Sequence, residues 1–325
     1  MARILVLAGV FMGNVPGRNK LVEAGFDVVD YKRPGPLPED ELIPALEGFE
    51  AAVAGNDPFN ERVMSAAPTL RAVARHGVGT DSVDLAAAAR LGVIVTNTPG
   101  IIVDSVADMA FAHMLAVARR VCEADRAVRA GKWQEIQGPL VWGKTLGLIG
   151  TGAIGMAMAR RARGFNMQVL AFDPYPRADA EELGVRYVGL DELLREADFV
   201  SIHAPLTSHT RGMIGKREIG LMKPTAYLIN TARGGLVDQD ALYEALVEKR
   251  IAGAGLDVLV HEPPSPDDPL LKLENCVFTP HNAHNAKEII ERVGLQVAQN
   301  LIETFAYLEG GPAPKFCANP DVLER

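Results

Sequence analysis

Fifteen consecutive residues constrain this chain more than any others: Thr145-Leu146-Gly147-Leu148-Ile149-Gly150-Thr151-Gly152-Ala153-Ile154-Gly155-Met156-Ala157-Met158-Ala159. A short apolar run breaks at three glycines spaced G-x-G-x-x-G and continues as an Ala- and Met-rich helical stretch. In that spacing Gly150 permits a tight turn, Gly152 lets a pyrophosphate approach the backbone, and Gly155 lets the helix pack closely on the strand. Phosphates would then sit on the free N–H groups of the first helical turn, around Ala153 and Ile154, and on the positive end of the helix dipole. Glycines also gather in ordinary turns, so the context decides. A second strand-like run, Val169-Leu170-Ala171-Phe172-Asp173, ends in an acid 23 residues beyond Gly150. An acid there binds ribose hydroxyls and repels a 2′-phosphate, which points to NAD rather than NADP.

The rest of the chain supplies a setting for such a site. At 325 residues there is room for two domains. Charged residues make up 23% and the net charge is −8, with no Lys/Arg-rich run, which argues against a nucleic-acid surface. The three cysteines, Cys122, Cys276 and Cys317, are too far apart for a C-x-x-C motif; they fit a reducing cytoplasm better than a disulfide framework or a zinc site. The apolar run at 4–8 reads as a first β-strand rather than a signal segment, and no apolar stretch has the length to span a bilayer.

Before residue 97, strand-like runs at 4–8, 28–31, 51–54, 72–75 and 93–96 alternate with helical patterns such as 39–46, 60–66 and 85–91. Alternation of this kind implies a parallel sheet covered by helices. Pro34-Gly35-Pro36-Leu37-Pro38 reads as a loop. A helical pattern over 105–121 is apolar around most of its circumference, which places it in a subunit or domain interface or, alternatively, inside one domain. Six further strands are expected at 145–149, 169–173, 199–203, 226–230, 255–258 and 277–279, the number of a full doubly wound dinucleotide fold. The pattern at 286–308 is helical again, without another strand. The reading is therefore α/β, with a Rossmann NAD-binding domain (99–285) inserted into a flavodoxin-like, doubly wound substrate-binding domain (1–98 and 286–325).

Ligands of open α/β sheets bind beyond the carboxyl ends of the strands. Three consecutive strand ends there carry Arg233, Glu262 and His281. Any one of them could be an ordinary surface residue, but together they make a coherent set. Hydride transfer to a 2-oxo acid needs a cation on the carboxylate and carbonyl, which the planar fork of Arg233 suits. It needs a proton donor to the forming alkoxide, which His281 can be. It also gains from a carboxylate, Glu262, that fixes the imidazole tautomer and favours its protonated form.

These residues lie in segments that resemble the D-isomer-specific 2-hydroxyacid dehydrogenases over essentially the whole chain. They include Ala74-Arg75-His76-Gly77-Val78-Gly79-Thr80-Asp81, Asn97-Thr98-Pro99-Gly100, the glycine loop, His203-Ala204-Pro205-Leu206-Thr207, Asn230-Thr231-Ala232-Arg233-Gly234-Gly235, Leu256-Asp257-Val258, Glu262-Pro263 and Thr279-Pro280-His281. The resemblance implies that Arg233, Glu262 and His281 are the catalytic trio. It implies that Val78 and Gly79 hold the substrate carboxylate through their backbone, that Asp257 holds the nicotinamide carboxamide, and that His203, Ala204, Pro205, Thr210, Thr231 and Ala232 line the cofactor. It further implies the discontinuous two-domain fold and a homodimer joined through the 101–121 region.

Departures from the family pattern bear on the substrate. Asn56-Asp57 stand where the family's phosphoglycerate branch usually has Arg-Ser or Arg-Thr, Ile102 where it often has Asn, and Asn282-Ala283-His284 where Ile-Gly-Gly is more common. Asn56, Asp57, His76 and Ile102 are then expected to form the wall facing the substrate beyond its carboxylate, with a packed or solvent-bonded His76 as the alternative. That wall favours glyoxylate, hydroxypyruvate or another short 2-oxo acid over a phosphorylated one. Phosphoglycerate dehydrogenase and an NAD-sensing corepressor-like binding protein remain alternatives; a formate dehydrogenase would be longer at its N-terminus. His281 and His284 are not read as a metal pair, because no further ligand set completes a site. His113, His209 and His261 are read as structural or surface residues.

Overall fold

Runs such as Ala51-Ala52-Val53-Ala54 carry no polar side chain on either face, and a strand of that kind is stable only with helices on both sides. The computed structural model, which describes residues 1–31 and 36–324, builds two sheets from such runs. The chain divides into two units, Met1–Ile102 with His284–Arg325, and Val103–Ala283. Of the proline-rich loop, Pro34 and Gly35 lie outside the described residues.

In the first unit β1 (Arg3–Val6), β2 (Asp27–Asp30), β3 (Ala51–Ala54), β4 (Ala72–Arg75) and β5 (Ile94–Thr96) are all parallel, in the order β2-β1-β3-β4-β5. This is the flavodoxin-like order. One face of the sheet packs on Leu42, Leu46, Val63 and Ala88. The other is covered by Phe11, Leu21 and the long helix Lys287–Leu308, which contributes Ile289, Val293, Val297, Ala298 and Leu301. Burying side chains of that size stabilises by roughly 1.5–3 kcal/mol each.

The second unit holds β6 (Thr145–Ile149), β7 (Gln168–Phe172), β8 (Val185–Tyr187), β9 (Phe199–Ile202), β10 (Tyr227–Asn230), β11 (Gly253–Leu256) and β12 (Cys276–Phe278). They are parallel in the order β12-β11-β10-β9-β6-β7-β8, so the chain reverses its direction of travel between β6 and β9. That reversal is the switch point at which doubly wound sheets take ligands. Seven strands stand where six were expected. The additional one, β8, is a short edge strand with exposed Arg186 at its centre.

The apolar helical pattern resolves into Val103–Ala118, a left-handed residue at Arg120, and a separate helix Val121–Arg129. Ala107, Ala110, Phe111, Met114 and Val117 of the first helix pack with Leu146, Leu148 and Met156 in the core of their own unit. Burial within one unit therefore accounts for the apolar circumference. Among the described residues no helix is long and apolar enough to cross a membrane.

Candidate active site

The glycine loop at the tip of β6 shows three separate reasons for having no side chain. Gly150 sits at φ +97°, and a Cβ on it would come within 2.8 Å of the His203 carbonyl. Gly155 faces the Gly150 carbonyl oxygen, where a Cβ would approach to 2.1 Å. Gly152, the residue before helix Ala153–Gly164, has open space instead. Two of the glycines are thus required by the protein's own packing, and the third leaves its backbone approachable at a helix N-terminus. Beside the loop, Asp173 accepts from the Thr151 N–H (2.7 Å), the Thr151 hydroxyl (3.0 Å) and the Tyr175 N–H (2.8 Å). Partial burial pushes its carboxyl up, but these bonds outweigh that and hold it below the usual carboxylate range. His203, beyond β9, is bonded to Ser201 at 2.9 Å and is pushed down to about 4 by burial, so it is neutral. Ala204 and Pro205 follow it, and Thr210 ties the loop by donating to the Pro205 carbonyl at 2.6 Å.

Beyond β10, the buried Asn230 side chain clips the next turn from both ends, accepting from the Ala232 N–H (3.0 Å) and donating to the Arg233 carbonyl (2.8 Å). Gly234 then brings this turn onto the one beyond β11: a Cβ there would lie 2.0 Å from the Leu259 carbonyl carbon. The Arg233 guanidinium donates to the Ala232 carbonyl at 2.8 Å. The Thr231 hydroxyl is buried without a hydrogen-bond partner among the described residues. A buried polar atom left open and an approachable helix end both fit a bound dinucleotide.

Glu262 and His281 meet directly. A Glu262 carboxylate oxygen lies 2.7 Å from His281 Nδ1, and the other accepts the Leu259 N–H at 2.9 Å. Burial pushes the Glu262 carboxyl up; the His281 hydrogen bond and charge, the Leu259 N–H and nearby Arg233 more than offset it, leaving the group below its usual range. His281 adopts φ +50°, a left-handed conformation that costs a non-glycine residue about 1 kcal/mol. It is held there by its N–H, which donates to the Asp257 carbonyl at 2.8 Å. The Asp257 carboxylate is 2% exposed and takes the N–H groups of Asn282 (2.8 Å) and Ala283 (2.9 Å) together with the Thr279 hydroxyl. Asp257, expected beside the nicotinamide, thus already braces the turn that carries His281.

In the first unit, the turn beyond β4 carries Val78 and Gly79. Neither of their N–H groups has a partner among the described residues, and Val78 is 38% exposed. Two adjacent open N–H groups are what an anion-binding turn requires. A residue the sequence reading did not single out holds it. Arg75, 4% exposed, donates to the Gly79 carbonyl (2.8 Å), the Ala54 carbonyl (3.2 Å) and the exposed Asn56 side chain (3.2 Å). At Asp57 the structure departs from the expected wall, and His76 takes the packed alternative. Asp57 is 1% exposed and accepts the N–H groups of Leu37 (3.0 Å) and Gly55 (2.9 Å), so it fastens the loop beyond β3 instead of facing a ligand. His76 turns inward: its ring packs edge-on to Phe11 and its Nε2 is buried without a partner among the described residues. Burial, and then the His284 charge, lower His76 to about 4.

Comparison with known proteins places this arrangement. Residues 111–283 match the family profile described as "D-isomer specific 2-hydroxyacid dehydrogenase, NAD binding domain". The chain is 47% identical to a glyoxylate reductase of Korarchaeum cryptofilum, over 93% of this chain and 92% of that one. It is 41% identical to a D-3-phosphoglycerate dehydrogenase of Archaeoglobus fulgidus, over 85% of this chain and 55% of that one. A solved structure from Thermus thermophilus superposes with a TM-score of 0.88 at 38% identity, covering 97% of this chain and 99% of that one. The profile spans more than half of the chain and includes the glycine loop and the Arg233, Glu262 and His281 turns; the chain belongs to the D-isomer-specific 2-hydroxyacid dehydrogenases, NAD-dependent oxidoreductases of small 2-hydroxy and 2-oxo acids.

Proposed function

We propose that the protein reduces a short 2-oxo acid with an uncharged tail, glyoxylate or hydroxypyruvate, to the corresponding 2-hydroxy acid (the D isomer where C2 becomes a stereocentre), using NADH. The observation that carries the chemistry is the 2.7 Å contact between Glu262 and His281 at the strand tips that also bear Arg233. When bound, the reduced nicotinamide supplies the hydride. The guanidinium of Arg233 draws charge toward the carbonyl oxygen and grips the carboxylate. The protonated His281 gives its Nε2 proton to that oxygen as the alkoxide forms. Glu262, at the other ring nitrogen, keeps the proton-bearing Nε2 aimed outward and stabilises the imidazolium. The N–H groups of Val78 and Gly79 take the substrate carboxylate. Thr231, Ala232, Ala204, Pro205, Thr210 and Asp257 stand as cofactor residues in this reading.

The preference for an unphosphorylated tail rests on the absence of an arginine at Asn56, on the inward bonds of Arg75, and on the glyoxylate reductases among the relatives. Asp173 favours NADH, since a 2′-phosphate would meet its charge, while Arg177 is paired with Asp179 at 2.7 Å. The test compares kcat/KM for glyoxylate, hydroxypyruvate and 3-phosphohydroxypyruvate, each with NADH and NADPH. A tenfold preference for the phosphorylated acid, about 1.4 kcal/mol in transition-state binding, rejects the substrate assignment. Asp173→Ala should narrow the NADH preference; an unchanged ratio rejects the role of Asp173.

The same reading includes a homodimer in the cytoplasm, with the contact moved beyond the buried helix Val103–Ala118. Five of the exposed apolar side chains lie just after it: Val121, Val128, Trp133 (92% exposed), Leu140 and Trp142. A second copy covering them would remove this apolar surface from water. Sedimentation of the wild type against Val128→Glu with Trp133→Glu tests this, and a monomeric wild type rejects it.

A further inference from the structure

His113 lies on helix Val103–Ala118 and is 2% exposed in an otherwise apolar layer. Its place is prepared by the sequence of β11. A Cβ on Gly255 would lie 2.8 Å from the His113 Cβ, and one on Gly253, two residues back on the same strand face, would lie 3.0 Å from Val117, one helical turn after His113. The helix therefore seats directly on β11. A leucine would satisfy that layer without burying polar atoms, so the ring's one hydrogen bond needs an explanation. His113 Nε2 is 2.8 Å from the Thr279 hydroxyl oxygen. Thr279 donates its single proton to the Asp257 carboxylate. The threonine oxygen can then only accept from the histidine, which makes the ring an Nε2–H tautomer with a bare Nδ1. That Nδ1 has no partner among the described residues. As a lone pair it is tolerable; as an N–H it would be an unpaired buried donor. Burial lowers the pKa of His113 in the same sense, against the opposing charge of Asp257.

Asp257 carries the connection to both sides of His281. Its carbonyl accepts the His281 N–H, and its carboxylate accepts the N–H groups of Asn282 and Ala283, the two residues that follow. We infer that His113 is a positioning residue for His281, acting through Thr279 and the Asp257 carboxylate. The hydrogen-bonded series fixes the carboxylate, and the carboxylate fixes a turn whose left-handed residue is the proton donor. This rests on the reading of His281 as that donor.

The experiment uses the intact enzyme in four variants. His113→Leu and Thr279→Val keep the volume and remove the bond, while His113→Gln and Thr279→Ser keep a polar atom near the same place. The first pair should lower kcat about tenfold, as expected for one member of a buried polar network, with the NADH dissociation constant unchanged. The second pair should recover most of that loss, and the double variant His113→Leu with Thr279→Val should be no slower than either single one. A second readout needs no turnover. In 15N-labelled protein the His281 imidazole signals should move in the first pair and return toward wild type in the second. Unchanged His281 signals and unchanged kcat in His113→Leu overturn the inference, as does a loss of thermal stability that leaves kcat and the signals alone. If the wild type reduced no 2-oxo acid, the functional reading would fall, while the imidazole signals would still decide whether His113 positions His281.

Discussion

The two units of this chain are the same kind of object, a parallel sheet between helices, yet they finish their strands in opposite ways. In Val103–Ala283 the strand tips present side chains: Arg233, Glu262 and His281, with Asn230 and Asp257 clamping the turns that carry them. In the other unit most of the polar side chains at the tips of β3 and β4 turn inward. Asp57, Arg75 and His76 are all buried and all bonded to, or packed against, their own framework. What remains outward is Asn56, whose amide oxygen accepts from Arg75, and backbone, the N–H groups of Val78 and Gly79. Binding a carboxylate needs donors only, which any residue's main chain has. Moving a proton needs a titratable group, which only a side chain supplies. Under the proposed function, the contrast matches that difference in task.

Predictions that break or sharpen the contrast begin with the side-chain face. His281→Ala should lower kcat by roughly 10²–10⁴-fold while NADH still binds; near-normal turnover would show that the titratable tip is not where the proton comes from. On the backbone face, Arg75→Met removes the support behind Gly79. It should raise KM for the 2-oxo acid about tenfold, with a smaller effect on kcat. Arg75→Lys should do nearly the same, because three separately directed contacts need the guanidinium fork. A KM unaffected by both would mean that the turn stands unaided.

The inward turn of His76 gives a third effect. Its folded value of about 4 lies below the ordinary 6.5, so as pH falls through that window the unfolded chain takes the proton first and the folded state loses stability. His76→Met should flatten the fall of Tm between pH 6.5 and 5, where one such group contributes at most about 1.4 kcal/mol per pH unit. His203 shares the direction and should account for a further part of the slope. Parallel curves for variant and wild type would refute the buried neutral state of His76. The smallest effect should come from Val78→Ala. If only its N–H matters, kcat/KM changes by less than about threefold, and a larger change would show that the side chain also touches the substrate.

Much of this was legible in the sequence because parallel strands buried on both faces leave uninterrupted apolar runs, and because the strand ends then point to the chemistry. The segments 51–54, 72–75 and 145–149 are strands with the expected bounds; most others shift by one or two residues, since apolar continuity locates a strand better than its ends. β8 escaped because a three-residue edge strand with a charge in the middle has no such run. Helix Val15–Glu23 escaped for a related reason: Pro16 and Gly17 obscure its start, and only Gly17 and Leu21 are buried. Asp57 was misplaced because one of its partners, the Leu37 N–H, is 20 residues away and leaves no local mark. The bonds from Arg75 to Ala54 and Asn56 and from His113 to Thr279 are distant in the same way. Periodicity shows which way a side chain faces, not what long-range partner it meets there.

The helix Lys287–Leu308 has a consequence for the order in which the protein can be made. It supplies much of the cover for one face of a sheet whose strands all lie before residue 97. As the chain leaves the ribosome, that face must wait only partly covered, by Phe11 and Leu21, while the whole of Val103–Ala283 is synthesised; at about 5–20 residues per second this is a delay of roughly 10–40 s. The contiguous unit has all its strands in hand and can close first. The earlier-made one stays exposed to chaperones and to unwanted partners until residues near 301 emerge. Pulse proteolysis of stalled nascent chains would show protection of the later-made segment first, and the reverse order would mean that the first sheet finds a temporary cover elsewhere.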